Sequence, residues 1–472
     1  MSTDTSDPGQ QTELRRVMGP KLLLLFIVGD ILGTGVYALT GQVAAEVGGA
    51  AWLPFLVAFI VATLTAFSYL ELVTKYPQAA GAALYVHKAF GVHFFTFIVA
   101  FAVMCSGITS ASTASRAFAA NLATGVEWDA SNTEIMLIAL AFMALVMAVN
   151  LRGVSESVKA NVVLTLVELS GLVIVILIGC YAIAGGDADF GRVVAFDTPD
   201  DKNVFLAVTT ATSLAFFAMV GFEDSVNMAE ECHEPHKIFP RMMLTGLGIT
   251  GTIYILISIC AVALVPVGTL AGSDTPLIEV VKAGAPDFPM DKILPFISMF
   301  AVANSALINM MMASRLLYGM SRQGVIPKSL SKVHAKNRTP WASILFTTAL
   351  AFGLIAYVSN ASDDAIAVLG GTTALLLLGV FAVVNVAVLV LRHDRVDRPH
   401  FRTHTAIAVA GALSCLYLVT PLSGRDSEQY EVAGILLGIG LVLSVPIYLF
   451  RRAHGEDLEI TDPEDIPPHE LP

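Results

Sequence analysis

The dominant pattern along this chain is a series of long apolar runs separated by short polar segments. A run of about 20 mainly apolar residues is long enough to cross a bilayer as one α-helix. Runs of about this length or longer occupy 20–43, 50–75, 92–124, 134–151, 160–184, 203–229, 240–266, 290–320, 340–358, 364–391, 404–423 and 430–450. The pattern predicts an all-α integral membrane protein with twelve transmembrane helices.

The positions of the charged residues predict how these helices are oriented. All but six of the 27 Lys and Arg residues fall on one side of the membrane if the N-terminus is cytoplasmic. The loops on the other side are acidic, with five Asp residues between 187 and 201, and the stretch 274–287 could form a short interfacial helix there. Because Lys and Arg favour cytoplasmic loops, we expect a cell-membrane protein with both termini in the cytoplasm.

Composition agrees with a membrane protein and excludes several other classes. Hydrophobic residues make up 55% of the 472 residues and charged residues only 14%, against about 25% charged residues in soluble domains. The mean hydropathy is +0.72. The five cysteines are scattered without a CxxC pair, which argues against a disulfide framework or a cysteine metal site.

The first apolar run contains a stretch that does not suit a continuous helix. In "GDILGTGVYALTG" (29–41), Gly33 and Gly35 flank the β-branched Thr34, and Asp30 lies one turn earlier. Glycine weakens a helix and lets the backbone leave helical geometry or approach a ligand closely. The pattern predicts a break in the first transmembrane helix.

The sixth run contains a second stretch of the same kind. In "LAFFAMVGFEDSVNMAEE" (214–231), Glu223 and Asp224 follow Gly221 closely. Interrupted helices at the first and sixth positions are the pattern expected of a five-plus-five inverted repeat, in which the breaks face each other and bind the substrate. The N–H end of a broken helix attracts an anion and the C=O end a cation. The alternative is that these glycines serve close helix packing.

Four segments in order resemble the amino acid–polyamine–organocation superfamily of permeases. They are residues 29–41, "SYLELVTKYPQAAGAALYVHKAFG" (68–91), "FFAMVGFEDSVNMAEECHEPHKIFP" (216–240) and "ASRLLYGMSRQGVIPKSLSKVHAKNRTPW" (313–341). The nearest likeness is to permeases of the cationic amino acid transporter type. The resemblance implies a LeuT-like inverted repeat with broken helices 1 and 6 and two added C-terminal helices.

The resemblance also implies a division of the chain. It comprises a cytoplasmic N-terminal tail (1–19), a first repeat of five helices (20–184), a second repeat of five helices (203–391), two further helices (404–450) and a cytoplasmic C-terminal tail (451–472).

Binding residues follow from the resemblance position by position. The backbone N–H groups that would hold a substrate carboxylate belong to Gly33, Thr34, Gly35 and Val36. The carbonyls that would face the substrate ammonium belong to Ile31, Phe217, Ala218 and Val220. Either Phe217 or Phe222 could close over the site as an aromatic gate.

Acidic residues at membrane depth are candidates for function because they are costly there. Asp30 could attract a cationic substrate or carry a proton, or it could only cap loosened backbone or pair with a nearby cation. Glu223 could couple the site to a gate or to a proton. We expect the neighbouring Asp224 to point elsewhere and pair locally, and Glu71, near the end of span two, to be structural.

Glu168 in span five departs from the family pattern. Proton-coupled relatives often carry a lysine at the corresponding place, where sodium-coupled relatives bind sodium. Desolvation favours the protonated form of a carboxyl group, so a proton site is our preferred interpretation. A sodium ligand or a structural hydrogen bond remains open.

The sequence therefore predicts a secondary active transporter that carries amino acids with a proton by alternating access. A polyamine or amine carrier, an amino acid exchanger, and a sensor or channel on the same fold remain alternatives. No Walker, nucleophile-elbow or HExxH motif is present, so we expect no enzymatic activity and no cofactor. "EECHEPHKIFP" (230–240) resembles a metal cluster in composition only. The expected partners are an amino acid or related amine, a proton rather than sodium, and the bilayer, without nucleic acid.

Overall fold

A computed structural model describes most of the chain. It covers residues 18–77, 81–152, 158–199, 202–322, 324–334, 337, 339–362, 364–394, 396 and 399–453. The predicted tails therefore lie almost entirely outside the described residues.

The described residues form sixteen α-helices. They are α1 (Pro20–Val47), α2 (Trp52–Lys75), α3 (Gly81–Phe90), α4 (His93–Gly125), α5 (Asn132–Arg152), α6 (Val158–Gly185), α7 (Phe190–Val193), α8 (Val204–Ala215), α9 (Pro235–Leu264), α10 (Val267–Ala271), α11 (Pro276–Gly284), α12 (Met290–Arg322), α13 (Trp341–Ala361), α14 (Ala365–Val390), α15 (Thr405–Val419) and α16 (Ser427–Ala453). Short 3₁₀ turns occupy Phe216–Met219, Asp224–Glu231, Lys328–Ser331, Leu391–His393 and Pro421–Ser423.

Eleven segments of the described chain are long and apolar enough to cross a membrane. They agree with eleven of the twelve predicted spans. The remaining prediction, 404–423, corresponds to α15, an apolar helix of only 15 residues. The count of twelve spans therefore stays a prediction.

The first helix lies at the centre of the bundle. All residues from 31 to 41 are buried, whereas a helix at a protein surface buries only one stripe. Its neighbours include α6, α8, α9, α10 and α12. The segment in which the sequence predicts a break is therefore surrounded by protein on every side.

The outer helices present apolar side chains outward instead. Leu137 and Leu145 on α5, Leu177 on α6 and Val442 on α16 are all more than half exposed. Extended apolar surface of this kind is unfavourable in water, and membrane-spanning helices satisfy their backbone hydrogen bonds internally. The outer surface fits the hydrocarbon of a bilayer.

The helix predicted within 274–287 is present as α11, and its apolar side chains are covered by protein. Its side chains Leu277, Ile278 and Val281 are buried. The helix packs against α6 and α12. The apolar residues of this stretch serve the protein core rather than the lipid boundary.

Glu71 has the structural role that the sequence predicts. Its two carboxylate oxygens accept hydrogen bonds from Arg392 Nε at 3.2 Å and Nη2 at 3.1 Å. The backbone N–H of Thr403 also donates to Glu71, at 2.9 Å. This buried pair connects the end of α2 to the segment between α14 and α15.

Arg425 ties several helix ends together between α15 and α16. Its guanidinium donates to the carbonyl oxygens of Leu418, Gly371 and Ser213, and to the Gln429 side chain. The side chain is buried, and burial lowers the pKa of Arg425 to about 10. It therefore remains charged at neutral pH, with its charge stabilised by backbone and amide oxygens.

We predict that Arg425→Met destabilises the protein by about 2 to 4 kcal/mol, because hydrogen bonds from a charged donor are lost and buried carbonyls remain unpaired. The midpoint of thermal unfolding in detergent measures this effect. The unfolding midpoint of Arg425→Lys should lie between those of Arg425→Met and the wild type. Arg315→Met, at an exposed arginine, serves as the control. An unchanged midpoint for Arg425→Met would contradict the assigned role.

Candidate functional site

The first helix is interrupted where its glycines predict. Gly33 has φ 4° and ψ −154°, which lies outside helical geometry, while the residues on both sides continue as α1. One half-helix therefore ends at the break with its carbonyl groups, and the next half-helix begins there with its N–H groups.

The second interruption follows α8. The helix tightens into the 3₁₀ turn Phe216–Met219, and Val220 is then extended with φ −70° and ψ 145°. Gly221 has φ 123°, a conformation open mainly to glycine. The chain resumes in the 3₁₀ segment Asp224–Glu231 rather than in an α-helix.

The two interrupted segments are in backbone contact. A Cβ atom added to Gly221 would lie 2.7 Å from the carbonyl carbon of Asp30. One added to Gly35 would lie 2.4 Å from the Cα of Ala218. A Cβ atom added to Gly33, by contrast, would have the Ser305 hydroxyl oxygen as its nearest neighbour, at 3.3 Å. Close packing therefore explains Gly35 and Gly221, whereas Gly33 faces a more open region.

A polar cavity lies at this crossing. Its lining residues are Asp30, Ile31, Gly33, Thr34, Gly35, Ser110, Phe217, Val220, Gly221, Asp224, Ser305 and Asn309. Seven of the twelve predicted site residues are in this set. The other five, Val36, Glu168, Ala218, Phe222 and Glu223, are outside it.

Sequence reasoning named no cavity residue in α4 or α12. Ser110 comes from α4, and Ser305 and Asn309 come from α12. The Asn309 side-chain Nδ2 donates to the backbone oxygen of Ser305 at 2.9 Å. Two polar residues four positions apart lie on one face of a helix, so their spacing within an apolar span was an available signal.

Two of the four predicted carbonyls already accept hydrogen bonds. The Tyr254 hydroxyl donates to the Ile31 carbonyl at 2.6 Å. The Val220 N–H donates to the Phe217 carbonyl at 3.3 Å. A carbonyl oxygen has two lone pairs, so each can accept one further hydrogen bond from a ligand.

One of the two acids of the second break differs from the expectation. Asp224, expected to point elsewhere, lines the cavity. Glu223 is buried, and its Oε2 accepts a hydrogen bond from the Gly221 N–H at 2.9 Å. Glu223 satisfies backbone loosened by the break, and Asp224 takes the position facing the cavity.

Glu168 lies behind the first break rather than in the cavity. It is only 2% exposed, and its Oε1 has no hydrogen-bond partner among the described residues. The Tyr37 hydroxyl donates to the Glu168 backbone oxygen at 3.1 Å. The helix α6, which carries Glu168, packs against both α1 and α9. Tyr254 on α9 donates in turn to the Ile31 carbonyl at the break.

The two candidate gate residues occupy different environments. Phe222 is fully buried, with its ring centroid 5.8 Å from that of Tyr69 and 5.3 Å from that of Phe381. Phe217 lines the cavity. An aromatic cluster holds Phe222 in place, and Phe217 is the aromatic side chain that can contact a ligand.

This arrangement defines a multi-pass membrane protein with a polar cavity at two helix breaks, as expected of a transporter. A comparison with protein families bears this out, because the amino acid permease model matches residues 20–442. The chain belongs to the amino acid permease family.

Individual relatives differ in the cargo that their names state. The branched-chain amino acid permease BcaP of Bacillus subtilis is 25% identical, covering 94% of this chain and 95% of its own. The methylthioribose transporter of the same organism is 25% identical over 95% and 96%. The chloroplastic cationic amino acid transporter 9 of Arabidopsis thaliana is 29% identical over 69% and 60%.

We predict that Gly221→Ala and Gly35→Ala each destabilise the protein, because the added methyl groups meet backbone atoms across the crossing. At Gly221 the left-handed conformation alone costs about 1 to 2 kcal/mol. Gly434→Ala, at an exposed glycine with nothing within 4 Å of an added Cβ, is the matched control. The midpoint of thermal unfolding in detergent measures the effect. If Gly221→Ala and Gly35→Ala both unfold at the same midpoint as the wild type, the backbone contact is contradicted.

Proposed function

We propose that this protein is a secondary transporter that carries amino acids across the cell membrane by alternating access, with both termini in the cytoplasm. The observation that carries the proposal is the contact between two interrupted helices around a polar cavity. Family membership supports the amino acid as cargo. The predicted inverted repeat of residues 20–184 and 203–391 is part of the proposal.

The backbone groups at the two breaks carry opposite partial charges, which match the two charged groups of an amino acid. The half-helix that begins after Gly33 directs its first N–H groups, from Thr34 to Val36, toward the substrate carboxylate. The carbonyls of Ala218 and Val220, and the remaining lone pairs of Ile31 and Phe217, accept hydrogen bonds from the ammonium. The Phe217 ring would close over the bound substrate.

A proton bound at Glu168 is the proposed coupling device. A buried carboxylate oxygen without a partner is costly as a charge, and a proton removes that cost. The Tyr37 hydroxyl donates to the Glu168 backbone oxygen, and Tyr254, on the helix α9 that packs against α6, donates to the Ile31 carbonyl at the break. Protonation of Glu168 would alter how these two hydroxyl groups hold the first break. Glu223, bonded to the Gly221 N–H, would act in the same way on the second break.

Other cargoes and modes compete with this proposal. The methylthioribose transporter among the relatives favours a neutral sugar-like cargo as a second candidate, which would not require N–H groups facing a carboxylate. A polyamine carrier, an exchanger, a sodium-coupled carrier, and a sensor or channel are further alternatives.

We expect the purified protein in liposomes to accumulate a radiolabelled amino acid when an inward proton gradient is imposed. Glu168→Gln should abolish gradient-driven accumulation and retain exchange of internal for external amino acid, because only coupling is lost. Uptake that ignores the gradient and requires internal amino acid would instead indicate an exchanger and a structural Glu168.

Tyr254→Phe should weaken the same coupling, because the hydroxyl that reaches Ile31 is removed while the ring is kept. The ratio of gradient-driven accumulation to exchange should fall severalfold. Tyr181→Phe, at an exposed tyrosine on α6, controls for the loss of a hydroxyl. If the ratio of accumulation to exchange is the same in Tyr254→Phe and the wild type, Tyr254 takes no part in coupling.

A further inference from the structure

The segment between α12 and α13 carries positive charge without negative charge. Residues 323–340 contain Lys328, Lys332, Lys336 and Arg338, and no Asp or Glu occurs anywhere from 293 to 362. A cluster of Lys and Arg residues next to the cytoplasmic end of a membrane-spanning helix attracts anionic lipid headgroups. Lys336 and Arg338 lie outside the described residues, so the structural argument rests on the two lysines.

Both of these lysines are available to a partner outside the protein. Lys328 and Lys332 are exposed. Neither forms a salt bridge with an acid in the described part of the chain. Lys237, at the start of α9, is by contrast paired with Glu234. The charge between α12 and α13 is therefore not neutralised by neighbouring side chains, as it is at α9.

Hydrogen bonds hold this segment in a defined shape. The Ser321 hydroxyl, at the end of α12, donates to the Pro327 carbonyl at 2.7 Å. The Ser343 hydroxyl, on α13, donates to the Leu330 carbonyl at 2.8 Å. The 3₁₀ turn Lys328–Ser331 lies between these two anchors. The exposed lysines are thereby held close to the ends of two membrane-spanning helices.

The end of α5 adds a further cation to the same region. The carbonyl oxygen of Leu151 accepts hydrogen bonds from Asn337 Nδ2 at 2.8 Å and from the Thr339 hydroxyl at 3.2 Å. Arg152, the next residue, is exposed and forms no salt bridge with any residue that the structure describes. Because α13 also packs against α5, Arg152 joins the two lysines on one surface.

An exposed apolar side chain lies beside the lysines. Val333 directly follows Lys332, and 44% of its surface is exposed. At a membrane boundary, a protein surface can place cations among the headgroups and an apolar side chain toward the acyl chains. A soluble anion would make no use of the valine. The combination therefore favours a lipid as the partner of these cations.

We infer that the basic surface formed by Arg152, Lys328 and Lys332 binds the headgroup of an anionic phospholipid in the cytoplasmic leaflet. This inference goes beyond the proposed function and rests only on the proposed orientation, with both termini in the cytoplasm. The helix α12 also contributes Ser305 and Asn309 to the cavity. A bound lipid thus holds the inner end of a helix that lines the candidate substrate site.

Native mass spectrometry of the full-length protein tests this inference. The protein is released from micelles that contain equal amounts of phosphatidylglycerol and phosphatidylcholine, and the retained lipids are counted. We expect the wild type to retain phosphatidylglycerol over phosphatidylcholine by at least about fivefold, because each cation adds to the attraction for an anionic headgroup. The ratio should fall as NaCl is added, since salt screens exposed charges. Equal retention of the two lipids at low salt would overturn the inference.

Neutralising the two lysines together should lower this ratio at least about threefold in Lys328→Gln/Lys332→Gln. The variant Lys328→Arg/Lys332→Arg keeps the charge and should keep the ratio. The matched control, Lys237→Gln/Arg241→Gln, removes two exposed cations from the start of α9 and should also leave the ratio unchanged. The assignment is wrong if the first variant retains the wild-type ratio, or if the control loses as much as the first variant.

Inorganic phosphate distinguishes a lipid site from a site for a soluble anion. Phosphate and NaCl, compared at equal ionic strength, should lower the retention of phosphatidylglycerol equally, because both act only by screening. Displacement by phosphate beyond the effect of NaCl would indicate a soluble phosphate as the ligand and overturn the assignment to a lipid.

Discussion

Backbone contact between two interrupted helices is the constraint on which the rest of this structure depends. Gly221 lies against the backbone of Asp30, and Gly35 lies against Ala218, at distances that leave no room for a Cβ. A helix can reach this proximity only where side chains are absent. Because peptide groups within a bilayer must be satisfied by protein, the breaks require partners such as Tyr254 at Ile31 and Glu223 at Gly221.

These partners give the acids near the crossing separate tasks. Glu223 bonds to the loosened backbone, Asp224 and Asp30 face the cavity, and Glu168 lies behind the first break, where Tyr37 donates to its backbone oxygen. A substrate that fills the cavity and a proton that neutralises Glu168 would act on the same backbone segment from opposite sides. The proposed coupling is therefore a local event, carried by the hydrogen bond between Tyr254 and the Ile31 carbonyl.

Features of the site set by backbone conformation could be predicted from sequence, and features set by side-chain direction could not. Glycines beside acids within apolar runs predicted both breaks, and two of these glycines, Gly35 and Gly221, also allow the backbone contact between them. The sequence did not show that Asp224 lines the cavity, because the direction of its side chain depends on the 3₁₀ segment that follows Gly221. To predict that Ser110 lines the cavity, one must know which face of α4 packs against the two breaks. The burial of α11 depends on neighbours far away in sequence.

A cryo-electron microscopy map of the protein in lipid nanodiscs, with an amino acid that it transports, would show directly whether the two breaks bind the substrate. We predict ligand density between Gly33 and Gly221, with the carboxylate toward the N–H groups of residues 34–36 and the ammonium toward 217–220. Ligand bound elsewhere, with Gly221 separated from Asp30 or the first helix continuous through Gly33, would contradict it.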